Sequence, residues 1–346
     1  MNLREFAAQL GLSPTTVSRA LNGSSVVKGK TRQRILSEAK RLNYAPSSAA
    51  RQLATGRSNA FGLVLELEHN LMREALFREF LVGLFEELSK SGSELIIRPA
   101  HFGDIKTFES FYQSGRVDGF VITRPLVDDA RVAYLQKKKV PFVVHGPGPK
   151  DATYSYLTVD NYASIASLAS LLADLGHRRV AFLNDQLTYA FAAERNAAFE
   201  QVAAERGFAA YPGLRRHSRM DERNGYTLTK ELLVDQKCKP TAVICGSILL
   251  ADGAYRAIAD AGLQVGRDVS VVAHDDVSAE LPADRFRPSL TVTDAPLSET
   301  GIKLAQFLVR LARKEAPTSL QETLPVRVIY RASAQALANR VRSASD

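Results

Sequence analysis

The sequence predicts an all-α helix-turn-helix head with a hinge helix, followed by an α/β core of two doubly wound lobes. Three observations lead there. Residues 1–58 carry ten basic and two acidic side chains, whereas the remaining 288 carry 35 of each, so the whole net charge of +8 sits at the front. A neutral body behind a strongly basic head aims that head at a polyanion. Helix signals crowd the same stretch. From Phe61 onward, short apolar runs alternate with amphipathic stretches, and the rhythm repeats, the pattern of parallel sheets covered by helices.

The head can be taken element by element. Leu3, Phe6, Ala7 and Leu10 lie at i, i+3, i+4 and i+7, the stripe of a short amphipathic helix. Gly11 supplies a turn. Ser13 fits an N-cap, and Pro14 the first helical position, where its missing N–H costs nothing. Leu12 and Val17 stand at the two positions of a hydrophobic staple, and Val17, Ala20 and Leu21 face inward. A third helix over roughly 30–42 is expected to bury Ile35, Leu36, Ala39 and Leu42.

In such a motif the N-terminal residues of the second helix enter the major groove. Thr15 and Arg19 then share the outer face. Arg19 can donate two hydrogen bonds to a guanine edge, Thr15 can meet a thymine methyl or a polar base edge, and Pro14 offers an apolar contact. Ser13, Thr16, Ser18, Asn22, Lys28, Lys30, Thr31, Arg32 and Tyr44 suit phosphates, which fix register without reading sequence. The expected partner is double-stranded DNA. A small bundle that binds protein is the plainer alternative, and the charge disfavours it.

In the body, 61–67, 94–98, 118–123 and 141–145 read as buried parallel strands, with helices expected around 74–90, 104–115 and 127–139. A second set of strands is expected near 179–184, 241–246 and 268–273, with helices near 161–175, 190–206, 222–235 and 248–262. Two such units in series place a ligand at the ends of their parallel strands, in the cleft between lobes.

Gly11-Leu12-Ser13-Pro14-Thr15-Thr16-Val17-Ser18-Arg19-Ala20-Leu21-Asn22-Gly23 resembles the head signature of the lactose-repressor family of bacterial transcription regulators. Thr31-Arg32, Leu42-Asn43-Tyr44, Pro46, Ala50-Arg51-Gln52-Leu53 and Gly56-Arg57-Ser58 continue the match, which extends to about residue 333. The resemblance implies a regulator, most simply a repressor, that binds a near-palindromic operator as a homodimer. Its affinity would answer to a small effector, a mono- or disaccharide by preference and otherwise a nucleoside or purine. The core would be periplasmic-binding-protein-like. Boundaries then fall at 1–45 for the head, 46–58 for the hinge, 59–334 for the core and 335–346 for the tail. The N-lobe would take about 59–158 and 290–319, and the C-lobe about 159–289 and 320–334, with crossings near 159, 289 and 320. A helix near 74–90 would form the dimer surface.

Pro46 ends the head, and Ser47 or Ser48 can cap a segment that Gly56 breaks. A helix of about eight residues is marginal alone. The resemblance implies that it becomes helical on DNA, with Ser48, Ala50, Arg51 and Leu53 in the minor groove. Leu53 would wedge into the central step and kink the duplex.

For the effector, the resemblance carries ligand contact onto Asp160, Arg195 and Asp275, with Phe77 and His145 as candidates for the other lobe's wall. Two departures matter. Gly246-Ser247 stands where the family usually has Asn-Asp, which removes an amide and a carboxylate, leaves one hydroxyl and makes room for a larger ligand. Pro147 stands where many relatives place an arginine.

Enzyme readings fail on spacing. Gly23 to Gly29 encloses five residues where a phosphate-binding loop needs four, and no strand precedes it. Gly146-Pro147-Gly148-Pro149 lacks the third glycine of a dinucleotide fingerprint. The histidines are scattered, and Cys238 and Cys245 offer no metal-ligand spacing. No cofactor is implied. A sugar kinase with a DNA-binding head, the remaining enzyme alternative, would need a nucleotide site that no motif supplies. Charges within Met1–Phe6, and the absence of any apolar run of ~18 residues, point to a cytoplasmic protein with no membrane contact. Ala332–Asp346 has no sustained leucine heptad, so dimers without a tetramerising coil are expected.

Overall fold

The computed structural model describes residues 1–21, 26–44, 52, 56–66, 75–101, 103–209, 211–235, 239–275, 280–294 and 297–337. They form two compact units, Met1–Asn59 and Ala60–Asp346.

The first unit holds α1 (Leu3–Gln9), α2 (Pro14–Leu21) and α3 (Gly29–Arg41). Asn2 and Glu5 close a reciprocal capping box at the start of α1, backbone to side chain at 2.9 and 3.0 Å, which satisfies two otherwise orphaned donors. Gly11 makes the turn at φ +66°. Phe6, Ala7, Leu10, Val17, Ala20, Val27, Ile35 and Ala39 fill the core between the helices. Leu36 does not join them and is 47% exposed. One step along α3 from Ile35, it lies about 100° round the helix, off the inner stripe.

The second unit carries strands β1 (Ala60–Glu66), β2 (Glu94–Ala100), β3 (Gly119–Thr123), β4 (Phe142–His145), β5 (Ser155–Val159), β6 (Val180–Asn184), β7 (Arg215–His217), β8 (Ala242–Cys245), β9 (Ser270–Asp275), β10 (Thr291–Asp294), β11 (Gln321–Leu324) and β12 (Arg327–Ile329). Its helices are α4 (Ala75–Lys90), α5 (Ile105–Gln113), α6 (Ala130–Lys137), α7 (Asn161–Asp174), α8 (Ala190–Arg206), α9 (Glu222–Val234), α10 (Ile248–Asp260) and α11 (Leu297–Ala312). The N-lobe sheet runs β11-β5-β4-β3-β1-β2, parallel throughout, and the C-lobe sheet runs β12-β10-β9-β8-β6-β7, parallel except for β12. In each sheet the first strand has its neighbours on opposite sides, so the order reverses there and opens a crevice at the strands' carboxyl ends.

Two lobe boundaries differ from expectation. β10 pairs with β9 and so belongs to the C-lobe, and β11 pairs with β5 and so belongs to the N-lobe. The later crossings therefore fall between Asp294 and Leu297 and between Leu324 and Arg327, beyond the expected 289 and 320; the first lies after Val159, as expected. Each crossing leaves from the carboxyl end of a strand, and sequence spacing does not display which sheet a four-residue strand joins. α11 returns to the N-lobe, where Leu304, Phe307 and Leu308 pack with Phe80, Leu84 and Leu88 of α4. Gly301 permits that approach, since a Cβ there would lie 2.2 Å from the Phe80 carbonyl oxygen. No described helix is long and apolar enough to cross a membrane.

Candidate functional site

On the head, Val17 and Ala20 are pinned into the core, which leaves Pro14, Thr15 and Arg19 exposed. Ser13 Oγ accepts the Thr16 N–H at 3.1 Å and lies 2.8 Å from the Thr16 hydroxyl, so both hydroxyls serve the start of α2. Lys28 and Lys30 are exposed at the start of α3, with Thr31 and Arg32 half-buried behind them; Ser18 is half-buried on α2. The Tyr44 ring stacks on Phe6 with centroids 4.2 Å apart, and burial raises its phenol. Its ring thus belongs to the head core, and the hydroxyl is what it can offer a phosphate. Asn22 and the hinge residues Ser48, Ala50, Arg51 and Leu53 lie outside the described residues.

In the body, the expected ligand residues sit at or near the carboxyl ends of strands. Asp160 follows β5 and caps α7, accepting the Ala163 N–H at 2.8 Å. Arg195, 5% exposed, donates through Nε to Asn161 Oδ1 (2.9 Å) and through Nη1 to the Gly246 carbonyl (2.7 Å), so Asn161, Arg195 and Gly246 form one cluster, with Asp160 next to Asn161 in the chain. Ser247 is buried, and its Oγ caps α10 by accepting the Leu249 N–H at 3.1 Å, which leaves the hydroxyl proton to donate. Asp275 ends β9 opposite Asp294; its side chain lies outside the described residues. On the N-lobe, the half-buried His145 stacks on Phe80 (4.7 Å) and Phe77 leans on the same buried ring (5.8 Å).

Several residues that the sequence did not reveal belong here. Asn184 ends β6, fully buried, with Nδ2 donating to Ala192 O (2.9 Å) and Oδ1 without a partner. A Cβ at residue 246 would lie 3.1 Å from that oxygen, so Gly246 makes room for the Asn184 amide. Arg124, just past β3, reaches across to the C-lobe. Its Nη2 donates to Asp185 Oδ2 at 2.9 Å, and its guanidinium lies 4.2 Å from the Tyr189 ring centre. Backbone bonds flank this pair, Val127 N to Thr188 O and Ala190 N to Pro125 O, both 2.9 Å. Arg124 adopts φ +50°, a left-handed conformation costing roughly 1–2 kcal/mol for a non-glycine residue, and strain of this kind persists where surroundings over-determine it. The general signal was available: both Arg124 and Asp185 follow the last residue of a parallel strand.

Glu194 stands one residue before Arg195. Burial raises its carboxyl, the Asp160 carboxylate adds to the rise and Arg195 opposes it, leaving it at about 7. The folded protein therefore holds this proton more tightly than the unfolded chain does. The ionised carboxylate costs stability, fully above pH 7, and the cost fades as pH falls towards the ordinary carboxylate value of 4.5. Glu194→Gln is expected to melt above the wild type at pH 8, with the gap closing by pH 4.5. A gap of equal size at both pH values, read by scanning calorimetry, would assign it to something other than ionisation.

A basic helical head joined to a two-lobed α/β body, with polar side chains gathered at the strand ends, defines a DNA-binding regulator of the two-lobed type. Residues 2–47 match the model of bacterial regulatory proteins, lacI family, and residues 169–334 match a periplasmic binding protein-like domain. The chain is 37% identical over 337 residues to the HTH-type transcriptional regulator AglR of Rhizobium meliloti (strain 1021), covering 96% of this chain and 94% of that protein. It shares its fold with the lac repressor dimer bound to operator and the anti-inducer ONPF (TM-score 0.80, 24% identity, 97% of this chain and 99% of that chain). The transcriptional regulator CelR–cellobiose complex is also similar (TM-score 0.71, 25% identity, 96% and 100%). The chain belongs to the lacI family of bacterial regulatory proteins. It is a DNA-binding transcription regulator and not an enzyme.

Proposed function

We propose that the protein is a repressor whose homodimer grips a near-palindromic operator and whose grip is set by a sugar held between the lobes. The observation that supports the ligand reading is the buried Arg195 guanidinium held on Asn161 and the Gly246 carbonyl at the C-lobe strand ends, with the half-buried rings of Phe77 and His145 packed on Phe80 in the N-lobe. Hydroxyl-bonding groups at one lobe and the partly exposed rings of Phe77 and His145 at the other suit the two kinds of surface a pyranose presents. CelR, a similar protein, is known in complex with cellobiose, which supports the same class here. Val82 and Phe85 stand exposed (54% and 42%) three apart on α4, an apolar stripe suited to a two-fold partner. A ligand that favours the closed lobes shifts the population towards whichever N-lobe pairing goes with closure, and so biases the hinges. Ligand and operator must then alter each other's affinity equally.

The test is titration of the full chain onto a palindromic operator selected from random sequence, with and without mono- and disaccharides, nucleosides and purines. A sugar is expected to change operator affinity by about 5- to 150-fold. A nucleoside or purine doing so instead would replace the sugar reading, and operator affinity indifferent to every bound ligand would remove the coupling. Arg19→Ala is expected to cost roughly 1–3 kcal/mol and to relax selectivity at one base pair; a uniform loss across operator variants would make Arg19 a phosphate contact.

A further inference from the structure

A cavity of about 560 Å3 opens at the junction of the lobes. Pro125, Pro147, Pro149 and Tyr154 line it from the N-lobe, and Ala190 and Ala193 from the C-lobe. At the C-lobe side it meets the half-buried Glu194 carboxyl, which interacts with the charges of Asp160 and Arg195. Asp129 also borders the cavity but is held by Arg131 at 2.6 Å. No lysine or arginine is among the lining residues. The space therefore offers flat apolar walls and three carboxyls, with no cation on its lining to balance an anionic guest.

We propose that this cavity is a second ring subsite, in which Glu194 engages a hydroxyl, and that the effector is a neutral oligosaccharide of at least two rings. The inference rests on the sugar site proposed above and extends it. Its volume is that of a small-molecule pocket, which typically spans about 300–1,000 Å3. Position supports the link. Glu194 feels the charges of both Asp160 and Arg195, so a ring in the cavity and a ring at Arg195 would flank one side chain. Chemistry supports the class. The prolines and Tyr154 suit the apolar faces of a sugar, and a carboxyl that keeps its proton near neutral pH can both donate to and accept from a hydroxyl. A sugar phosphate or a nucleotide would bring negative charge to a lining that holds three carboxyls and no lysine or arginine.

The experiment is calorimetric titration of the full chain with glucose, galactose, fructose and glucose 6-phosphate against maltose, cellobiose, sucrose, melibiose and raffinose. At least one oligosaccharide is expected to bind ten or more times tighter than each of its component monosaccharides, and glucose 6-phosphate no better than glucose. Ala133→Trp, which fills the cavity from the exposed face of α6, is expected to bring that ratio close to one. Glu194→Gln, which keeps the shape and removes the acid, is expected to lower it several-fold, with circular dichroism confirming the fold of each variant. Monosaccharides binding as tightly as every oligosaccharide, or a ratio untouched by both substitutions, would overturn the subsite and leave the sugar site standing. Silence across all the sugars would overturn both.

Discussion

Asp185→Ala is expected to destabilise the two-lobed body by about 3–5 kcal/mol, the scale of the cost of breaking a buried ion pair by removing one member. The Asp185 side chain is 2% exposed and that of Arg124 19% exposed, at 2.9 Å, with the guanidinium packed over Tyr189. Arg124 keeps some access to water, which places the expected loss towards the lower end of that range. For a body of this size, each kcal/mol moves the melting temperature by roughly 2–4 °C, so calorimetry of the full chain should show a drop on the order of 10 °C. The double variant Arg124→Ala, Asp185→Ala is expected to recover part of it, because neither charge is then stranded. The joint also spans the lobes. Its loss should loosen closure and weaken ligand binding beyond what the stability change alone explains. A destabilisation under about 1 kcal/mol would mean that water takes over the carboxylate's role, and that the flanking backbone bonds of Val127 and Ala190 hold the lobes by themselves.

Why this joint escaped the sequence is instructive. Periodicity located the strands and helices that bury apolar stripes, so α1 to α3, β1, β6 and β8 were legible from Leu3, Phe6, Val17 or the run at 242–245. Short strands carry too few residues to show a period, and β5, β7 and β10 to β12 were accordingly unread as strands. Register across the lobes is a property of the folded chain alone. Arg124 and Asp185 are 61 residues apart, and neither lies in a motif. The surroundings of Arg195 were readable in part: Asp160 and Arg195 came from the family resemblance and Gly246 from a departure from it, and Arg195 bonds to the Gly246 carbonyl in the fold. What the resemblance could not supply was the support for Arg195. Asn161, which accepts from its Nε, looks in sequence like an ordinary residue in the first turn of a helix. Ser247 carries a second role that the sequence does not display: its Oγ accepts the Leu249 N–H at the cap of α10, and the hydroxyl proton is what it keeps to donate.

Arg195→Ala is expected to abolish the ligand's effect on operator binding while the empty protein still binds DNA. Hydrogen bonds to a charged group contribute about 1.5–3 kcal/mol each, so losing one such bond to the ligand weakens binding roughly 10- to 150-fold. Part of the loss is indirect. Removing the guanidinium leaves Asn161 Oδ1 and the Gly246 carbonyl without a donor in a buried place, at about 1–3 kcal/mol for each group that water cannot reach. Asn161→Ala separates the two contributions. It removes one anchor and keeps the charge, while Asn161's own bonds to Thr158 and Val159 are lost with it. If Arg195 touches the ligand and Asn161 only orients it, Arg195→Ala should lose more affinity than Asn161→Ala even where calorimetry shows the two equally destabilised. Arg195→Lys should keep a charge but not the fork that reaches Asn161 and Gly246 together, and should fall between them. Equal losses of affinity and stability in all three would make Arg195 a tie between α8 and β8, with the ligand held by the Asp160 side of the cleft and by the rings of Phe77 and His145 opposite.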